Sequence, residues 1–144
     1  MNEIWKDIDG YNGIYQVSNL GRIKSVARFR KGKNNSLVPL PEKIMKIQDR
    51  GRGYLYVNFG MGCKHRKYIH RLVAEHFIPN PENKPEIDHI NTDRTDNRVE
   101  NLRWVTHKEN MNNSLTIQKC KIAKGYEKIP FKVFDLELYR KKVG

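Results

Sequence analysis

The feature that most constrains the fold is residues 87–113, where two short apolar segments flank a polar loop and a helix signal follows. The segments 87–90 and 102–105 have the length and apolar content of strands. Thr106 and Glu109 then have the spacing of a capping box, in which a Thr hydroxyl caps a helix and a Glu binds back to it. This order predicts a strand, a long loop over 91–100, a second strand and a helix.

The rest of the chain predicts short strands and one amphipathic helix. Residues 3–26 alternate strand formers with Gly and Asn turn signals, and residues 53–59 and 66–69 predict a strand and its return. Residues 70–78 predict a short helix that ends before a proline. Residues 28–39 predict a basic loop rich in Gly and Asn. No run of about 18 uncharged apolar residues exists, so we expect no membrane span.

The formal net charge of +12 over 144 residues indicates a polyanionic partner. Nucleic acid is the first candidate, and an acidic membrane surface or an acidic protein is the second. The net charge is +6 in residues 1–52, +1 in residues 53–113 and +5 in residues 114–144. A nearly neutral middle that keeps eight carboxylates suits a segment that binds a cation between segments that bind the polyanion.

The cysteines and the N-terminus argue against secretion and against zinc. Cys63 and Cys120 make neither a disulfide framework nor a CxxC zinc knuckle. The first ten residues lack the apolar run of a secretory signal, and a reducing cytoplasm fits both observations. Cys63, His65 and His70 do not have the spacing of a common structural zinc site, so we expect no zinc.

Three residues of the predicted hairpin and helix suit metal-assisted cleavage of a phosphodiester. A hard divalent cation prefers oxygen ligands, which Asp88 and Asn110 can offer. His89 has a side chain of suitable basicity to take a proton from an attacking water. Asn101, at the start of the second strand, is expected to tie the loop backbone and hold His89. By spacing alone, a structural Asp-His pair remains an alternative.

Two stretches resemble known modules once they are read in full. The sequence IHRLVAEHFIPNPENKPEIDHINTDRTDNRVENLRWVTHKENMNN resembles HNH endonucleases of the phage homing type. The sequence EIWKDIDGYNGIYQVSNLGRIKSV resembles the NUMOD4 module commonly found ahead of such nucleases. The resemblance covers about residues 3–113. It implies an α+β fold, in which a small β-rich unit is followed by a ββα-metal (His-Me finger) unit.

The resemblance also assigns roles and a cofactor. It implies that Asp88 and Asn110 bind Mg²⁺ or Mn²⁺, that His89 is the general base and that Asn101 braces the loop, which makes this the H-N-N variant. His107 is an alternative third motif residue. His70 is expected to be a satisfied histidine that packs near the catalytic hairpin.

Several basic and amide side chains are candidates for contacts with double-stranded DNA. In the predicted loop of residues 28–39 these are Arg28, Arg30, Lys31 and Lys33. In the loop between the two strands they are Arg94, Asn97 and Arg98, for which a role as solvated loop residues is equally plausible.

We therefore expect a NUMOD4-like module over 1–52, an HNH nuclease domain over 53–113 and a basic tail over 114–144. The tail is too short for the full helix-turn-helix module that homing relatives often carry. The expected function is a metal-dependent DNA endonuclease of phage or bacterial cytoplasm, with site-preferring nicking or cleavage. A DNA-binding accessory protein with an inactive HNH fold is the alternative. One active site per chain cuts one strand, so a monomer would nick, and a double-strand break would need a homodimer or two binding events.

Overall fold

The computed structural model describes residues 1–60 and 65–124. Its strands are β1 (Trp5–Asp7), β2 (Tyr15–Ser18), β3 (Ile23–Ser25), β4 (Arg28–Lys31), β5 (Leu37–Leu40), β6 (Lys43–Ile44), β7 (Tyr56–Asn58), β8 (Arg66–Tyr68), β9 (Glu86–His89) and β10 (Leu102–Val105). Its α-helices are α1 (Ile69–Phe77), α2 (His107–Met111) and α3 (Ser114–Ala123). Mixed strands and helices in this order agree with the predicted α+β class.

The N-terminal unit is a four-stranded sheet in the order β1-β2-β3-β6, and its paired strands are antiparallel. A tight turn joins β2 to β3, and Gly21 in that turn has a φ of +82°, a left-handed conformation that glycine adopts without strain. Val17 and Ile23 lie opposite each other in the register and are fully buried. The turn signals of the sequence therefore marked the β2–β3 hairpin correctly.

The region predicted as a basic loop is instead a β-hairpin. Strands β4 and β5 pair antiparallel, with Arg28 opposite Leu40 and Lys31 opposite Leu37, and form a sheet of their own. A short 3₁₀ turn, Lys33–Asn35, connects them. Pro39 fits in β5 because that strand pairs on one side only, so no ladder bond is lost.

Helix α1 packs between the N-terminal sheet and the β9–β10 hairpin. It begins one residue before the predicted start and ends at Phe77, because Ile78 precedes Pro79 and adopts an extended conformation. Its buried face carries Ile69, Leu72 and Val73 at helical spacing. The helix thus covers both sheets with one apolar stripe.

The predicted strand, loop, strand and helix order of residues 87–113 is confirmed. Strand β9 pairs antiparallel with β10, with Asp88 opposite Arg103 and His89 opposite Leu102. The capping box is present, because Glu109 N–H donates to the Thr106 hydroxyl and Thr106 N–H donates to the Glu109 carboxylate. Helix α2 is a single short segment, after which the chain turns at Asn112 and continues as α3.

One apolar core joins the two parts of the chain. It contains Ile8, Val17, Ile23, Val57, Phe59, Ile69, Leu72, Val73 and Leu102. These residues come from both sides of the predicted boundary at residue 52, so burial of apolar area couples the N-terminal sheet to the β9–β10 hairpin. Within the two described ranges, no helix has the length and apolar content to span a lipid bilayer.

Candidate active site

Asp88 is a buried carboxylate held by donors from two elements. Arg103, opposite it in the register, donates from Nε and Nη2 to its Oδ2 at 3.0 and 2.7 Å. Asn113 Nδ2 donates to the same oxygen at 2.9 Å. Among the described residues, all donors to Asp88 meet Oδ2, so Oδ1 keeps its lone pairs for another partner.

The amide that contacts Asp88 is therefore that of Asn113, whereas the sequence pointed to Asn110 as its neighbour. The reason is the break between α2 and α3, which makes Asn113 the N-cap of α3 and brings its amide to Asp88. Its Oδ1 accepts from Leu115 N–H at 3.0 Å, so the amide oxygen is already committed to the helix cap. Asn113 thus holds Asp88 through nitrogen and has little capacity left for a cation.

Asn110 contacts a different carboxylate of the same strand. Its Nδ2 donates to Glu86 Oε2 at 2.7 Å, and His107 Nδ1 lies 2.9 Å from Glu86 Oε1. These bonds lower the pKa of Glu86, chiefly through Asn110 and then through His107. No donor in the described part of the chain reaches Asn110 Oδ1, so this oxygen is free to accept a cation.

Glu86 and Asp88 lie on one face of β9, and His89 points to the other, as alternation along a strand requires. His89 is 5% exposed, and its Nε2 lies 2.9 Å from Asn97 Oδ1. Since the Asn97 oxygen only accepts, His89 Nε2 carries the hydrogen and Nδ1 has the free lone pair. Among the residues that the structure describes, none donates to that Nδ1.

The predicted position of His70 beside the catalytic hairpin is confirmed, but its predicted satisfaction is wrong. Its ring lies 5.4 Å from the His89 ring and 5.4 Å from that of Tyr54. His70 Nδ1 is buried and has no hydrogen-bond partner among the described residues. Burial, then His89 and Arg71, lowers the pKa of His70 to about 4, so its ring is neutral near pH 7.

Asn101 connects two parts of the loop between β9 and β10 through hydrogen bonds of its side chain. Its Oδ1 accepts from Asn91 N–H at 3.0 Å, and its Nδ2 donates to Asn91 Oδ1 at 2.9 Å and to the Asp96 backbone oxygen at 2.8 Å. Asn101 is 2% exposed. These contacts are those that the sequence interpretation expected of a loop brace.

The three loop residues predicted to touch DNA occupy three different settings. Asn97 is 4% exposed and bonded to His89, so its predicted phosphate contact is wrong. Arg98 forms two 2.8 Å bonds to Asp96 and a 3.1 Å ion pair with Glu100, and the pairing raises the pKa of Arg98. Arg94 is exposed, lies 4.7 Å from the Tyr54 ring centroid and donates from Nη1 to the Arg52 backbone oxygen at 3.4 Å.

The four basic residues of the first DNA-contact group lie together on the β4–β5 hairpin. Arg30, Lys31 and Lys33 are exposed, and Arg28 is half-buried with a 2.6 Å bond to Ser25 Oγ. Residues 28–40 contain no carboxylate. The hairpin is thus an exposed cationic element with a sheet of its own.

The donors around β9 suit a hard cation better than zinc. Asp88 and Asn110 offer oxygens, and no group of three or more His, Cys, Asp or Glu side chains within residues 1–60 and 65–124 has the arrangement of a metal cage. Of the zinc candidates, His70 is buried and His65 is exposed, and Cys63 lies outside the described residues. A cation here would take part of its coordination from water and phosphate.

Three residues important to the site were not found from sequence. Arg103 became visible only through the strand register, and Asn113 only through the second helix start. An Asn followed by Ser114 and an apolar position is an N-cap signal that could have indicated Asn113. Gly21 is the third, because the turn around it lies against Asn97.

Comparison with known proteins gives consistent matches. Residues 67–112 match the HNH endonuclease family, and residues 3–60 match the NUMOD4 motif. The chain is 37% identical to the uncharacterized HNH endonuclease L247 of Acanthamoeba polyphaga mimivirus over 147 aligned positions, which cover 94% of the chain and 33% of that relative. It is 35% identical to the DNA endonuclease I-HmuI of Bacillus phage SP01 over 124 positions, which cover 85% of the chain and 64% of that relative.

A solved structure of DNA binding and cleavage by the HNH homing endonuclease I-HmuI superposes with a TM-score of 0.59. The two chains are 33% identical, and the match covers 88% of this chain and 62% of the other. The chain thus spans less than two thirds of the length of these relatives.

Proposed function

We propose that this chain, in which a NUMOD4 motif precedes a segment of the HNH endonuclease family, hydrolyses phosphodiester bonds of double-stranded DNA with one divalent metal ion per active site. Its homology to the DNA endonuclease I-HmuI supports DNA as the substrate. We further propose a site-preferring, homing-type reaction in which one chain cuts one strand, so that a monomer nicks and a double-strand break needs a homodimer or two binding events.

The observation that carries the proposal is the adjacency of Asp88 and His89 at one strand end, each fixed by its own partners. Asp88 is held by Arg103 and Asn113 on one face of β9. His89 is held by Asn97 on the other face. A scissile phosphate at the end of β9 would lie between a carboxylate and a base whose positions are set before DNA arrives.

The donor set fits Mg²⁺ or Mn²⁺. Asp88 Oδ1 and Asn110 Oδ1 each accept from no donor among the described residues, and they lie on β9 and on the helix packed against it. These two atoms would hold the ion. When bound, it would stabilise the negative charge that develops on the phosphate and the leaving oxygen.

His89 is assigned the proton transfer. Because Asn97 fixes the hydrogen on Nε2, the Nδ1 lone pair is the atom that would accept a proton from the attacking water. His70 beside it is neutral near pH 7, so its ring adds no positive charge that would oppose protonation of His89. Asn101 keeps the loop that carries Asn97 closed.

DNA would be held mainly outside this site. The β4–β5 hairpin presents Arg30, Lys31 and Lys33 to solvent and contains no carboxylate, so it is suited to the phosphate backbone. Arg28, at the start of β4, and Arg94, in the loop between β9 and β10, would add further contacts with the phosphate backbone. The carboxylates of β9 belong to a different two-stranded sheet from the hairpin.

The test is incubation of supercoiled plasmid with the chain and Mg²⁺ or Mn²⁺. We expect nicked circles that are absent with EDTA and absent with Asp88→Ala. Mapping of the cut ends by run-off sequencing would show whether cleavage prefers a site.

Glu75→Ala is a matched control, because it removes one carboxylate from the exposed side of α1 and should cleave like the wild type. No nicked product with either metal, under conditions where the wild-type chain binds the plasmid, would leave a DNA-binding accessory protein as the function instead.

A further inference from the structure

The turn between β2 and β3 contacts the loop between β9 and β10. That loop carries Asn97, the hydrogen-bond partner of the proposed general base His89. The Asn19 backbone oxygen accepts from Val99 N–H at 2.8 Å. Asn19 is itself 3% exposed, and its side chain is bonded to the backbone of Asn2 and Ile4 at 3.1 and 2.8 Å. The turn is therefore a fixed part of the N-terminal sheet when it meets the loop.

Gly21 makes the closest approach in this contact. A Cβ at Gly21 would lie 3.0 Å from Asn97 Cβ and 3.1 Å from the Asn97 backbone oxygen, closer than ordinary van der Waals contact. The φ of Gly21 is +82°, so a side chain there would also strain the backbone. Two requirements, space and conformation, thus coincide at one residue.

Asn97 links this contact to the proposed chemistry. It is 4% exposed and has its Oδ1 2.9 Å from His89 Nε2. We propose that the β2–β3 turn, through Gly21, is a positioning element for the general base: it seats Asn97, and Asn97 sets the tautomer and direction of the His89 ring. The inference rests on the proposed function of His89, and it gives the NUMOD4 segment a role in turnover besides any contact with DNA.

The experiment compares Gly21→Ala with Gly10→Ala in the full chain. Gly10 has a φ of +83°, and a Cβ there would meet nothing within 4 Å, so it matches the backbone strain without the contact to Asn97. We expect Gly21→Ala to lower the single-turnover cleavage rate by about 10- to 100-fold, as small displacements of a reacting group do. Gly10→Ala should cleave at the wild-type rate, and DNA affinity should be unchanged in both.

A second readout does not depend on cleavage. ¹⁵N NMR of the His89 ring should show Nε2 protonated and Nδ1 unprotonated in the wild type and in Gly10→Ala, and a mixture of tautomers in Gly21→Ala. If the wild type shows no metal-dependent cleavage, the proposed function fails while this tautomer comparison still tests the turn. Wild-type tautomer and rate in Gly21→Ala, or equal losses in both glycine variants, would overturn the inference.

If Gly21→Ala does not fold, Asn97→Ala still tests the inference, because a wild-type tautomer and rate in Asn97→Ala would overturn it. That variant removes the acceptor of the His89 hydrogen bond and should show the same tautomer mixture and rate loss. In the folded double variant, Gly21→Ala should add little to the rate loss of Asn97→Ala, because both changes act through one hydrogen bond. Additive losses would show that the turn does not act through Asn97.

Discussion

The β4–β5 hairpin and residues 86–113 both carry functional polar side chains, but they differ in whether those side chains are exposed or buried. In residues 86–113, Asp88, His89 and Asn97 are buried and bonded to named partners. On the hairpin, Arg30 and Lys31 are exposed beside Phe29 and Leu37, which are 68% and 67% exposed. A reaction needs side chains fixed before the substrate arrives, whereas a phosphate backbone is held by charges that can reach it. We infer a division of work between the two regions: residues 86–113 carry out the reaction, and the β4–β5 hairpin holds the DNA.

The largest effect should come from His89. Changing His89→Ala removes the proposed proton acceptor, and general bases typically contribute about 10²- to 10⁴-fold. We expect a loss of that size in the single-turnover cleavage rate, with plasmid affinity unchanged. A loss of affinity as large as the loss of rate would break the division between the two regions.

The acid sensitivity of the buried region should be the next largest effect. The pKa of His70 is lowered to about 4 in the folded chain, from about 6.5 when unfolded, so the unfolded chain binds the proton more readily. The free energy of unfolding therefore keeps the full contribution of neutral His70 above pH 6.5, and this contribution is lost as the pH falls toward 4. At pH 4.5 the loss should be about 2 to 3 kcal/mol in the free energy of unfolding by urea.

His70→Phe should remove this loss, because the replacement ring does not titrate. Comparing wild type and variant at pH 7.5 and 4.5 cancels the contribution of carboxylates such as Asp96, whose pKa is lowered by Arg98. Parallel acid profiles for the two proteins would contradict the burial and neutrality of His70.

Substitutions of Asn110 and Asn113 should differ in their effects on the Mn²⁺ requirement and on the free energy of unfolding. Asn110→Ala should raise the Mn²⁺ concentration needed for half-maximal cleavage by at least about 10-fold. Residues that only hydrogen-bond to metal ligands already contribute that much to metal affinity, and a direct ligand should contribute no less. Asn110→Ala should lower the free energy of unfolding by less than Asn113→Ala does, because it removes one hydrogen bond to the half-buried Glu86 and no helix cap. Asn113→Ala should lower the free energy of unfolding by about 1 kcal/mol, because it removes the N-cap of α3. If Asn113→Ala alone shifts the Mn²⁺ requirement, Asn113 and not Asn110 is the second ligand.

The smallest effects should come from single charges of the hairpin. Arg30→Ala and Lys31→Ala should each reduce the slope of log affinity against log salt by about 0.9, because each removes one phosphate contact. The cleavage rate at saturating DNA should stay at the wild-type value. Arg98→Ala is the matched control: its guanidinium is already paired with Asp96 and Glu100, so the slope should not change.

The sequence predicted what local patterns decide. The capping box of Thr106 and Glu109 and the bounds of β10 were recognisable because a few neighbouring residues satisfy one another. The loop brace Asn101 was recognisable because of its position at the loop end. The helix α1 followed from its apolar stripe and the proline after it.

What could not be predicted depends on how elements meet. Whether Asn110 or Asn113 contacts Asp88 is decided by the break between α2 and α3, which no periodicity shows in so short a segment. Arg103 reaches Asp88 because of the strand register. The β4–β5 hairpin was hidden because its strands carry Arg, Lys and Pro in place of alternating apolar residues.

The division of work is tested most directly by measuring the cleavage rate and the plasmid affinity of His89→Ala and of the Arg30→Ala, Lys31→Ala double variant in one experiment with Mg²⁺. The account predicts that the His89 variant loses rate and keeps affinity. It predicts that the double variant loses affinity and keeps its rate at saturating DNA. A His89→Ala chain that cleaves at the wild-type rate would contradict the central claim that the buried histidine beside Asp88 is the base.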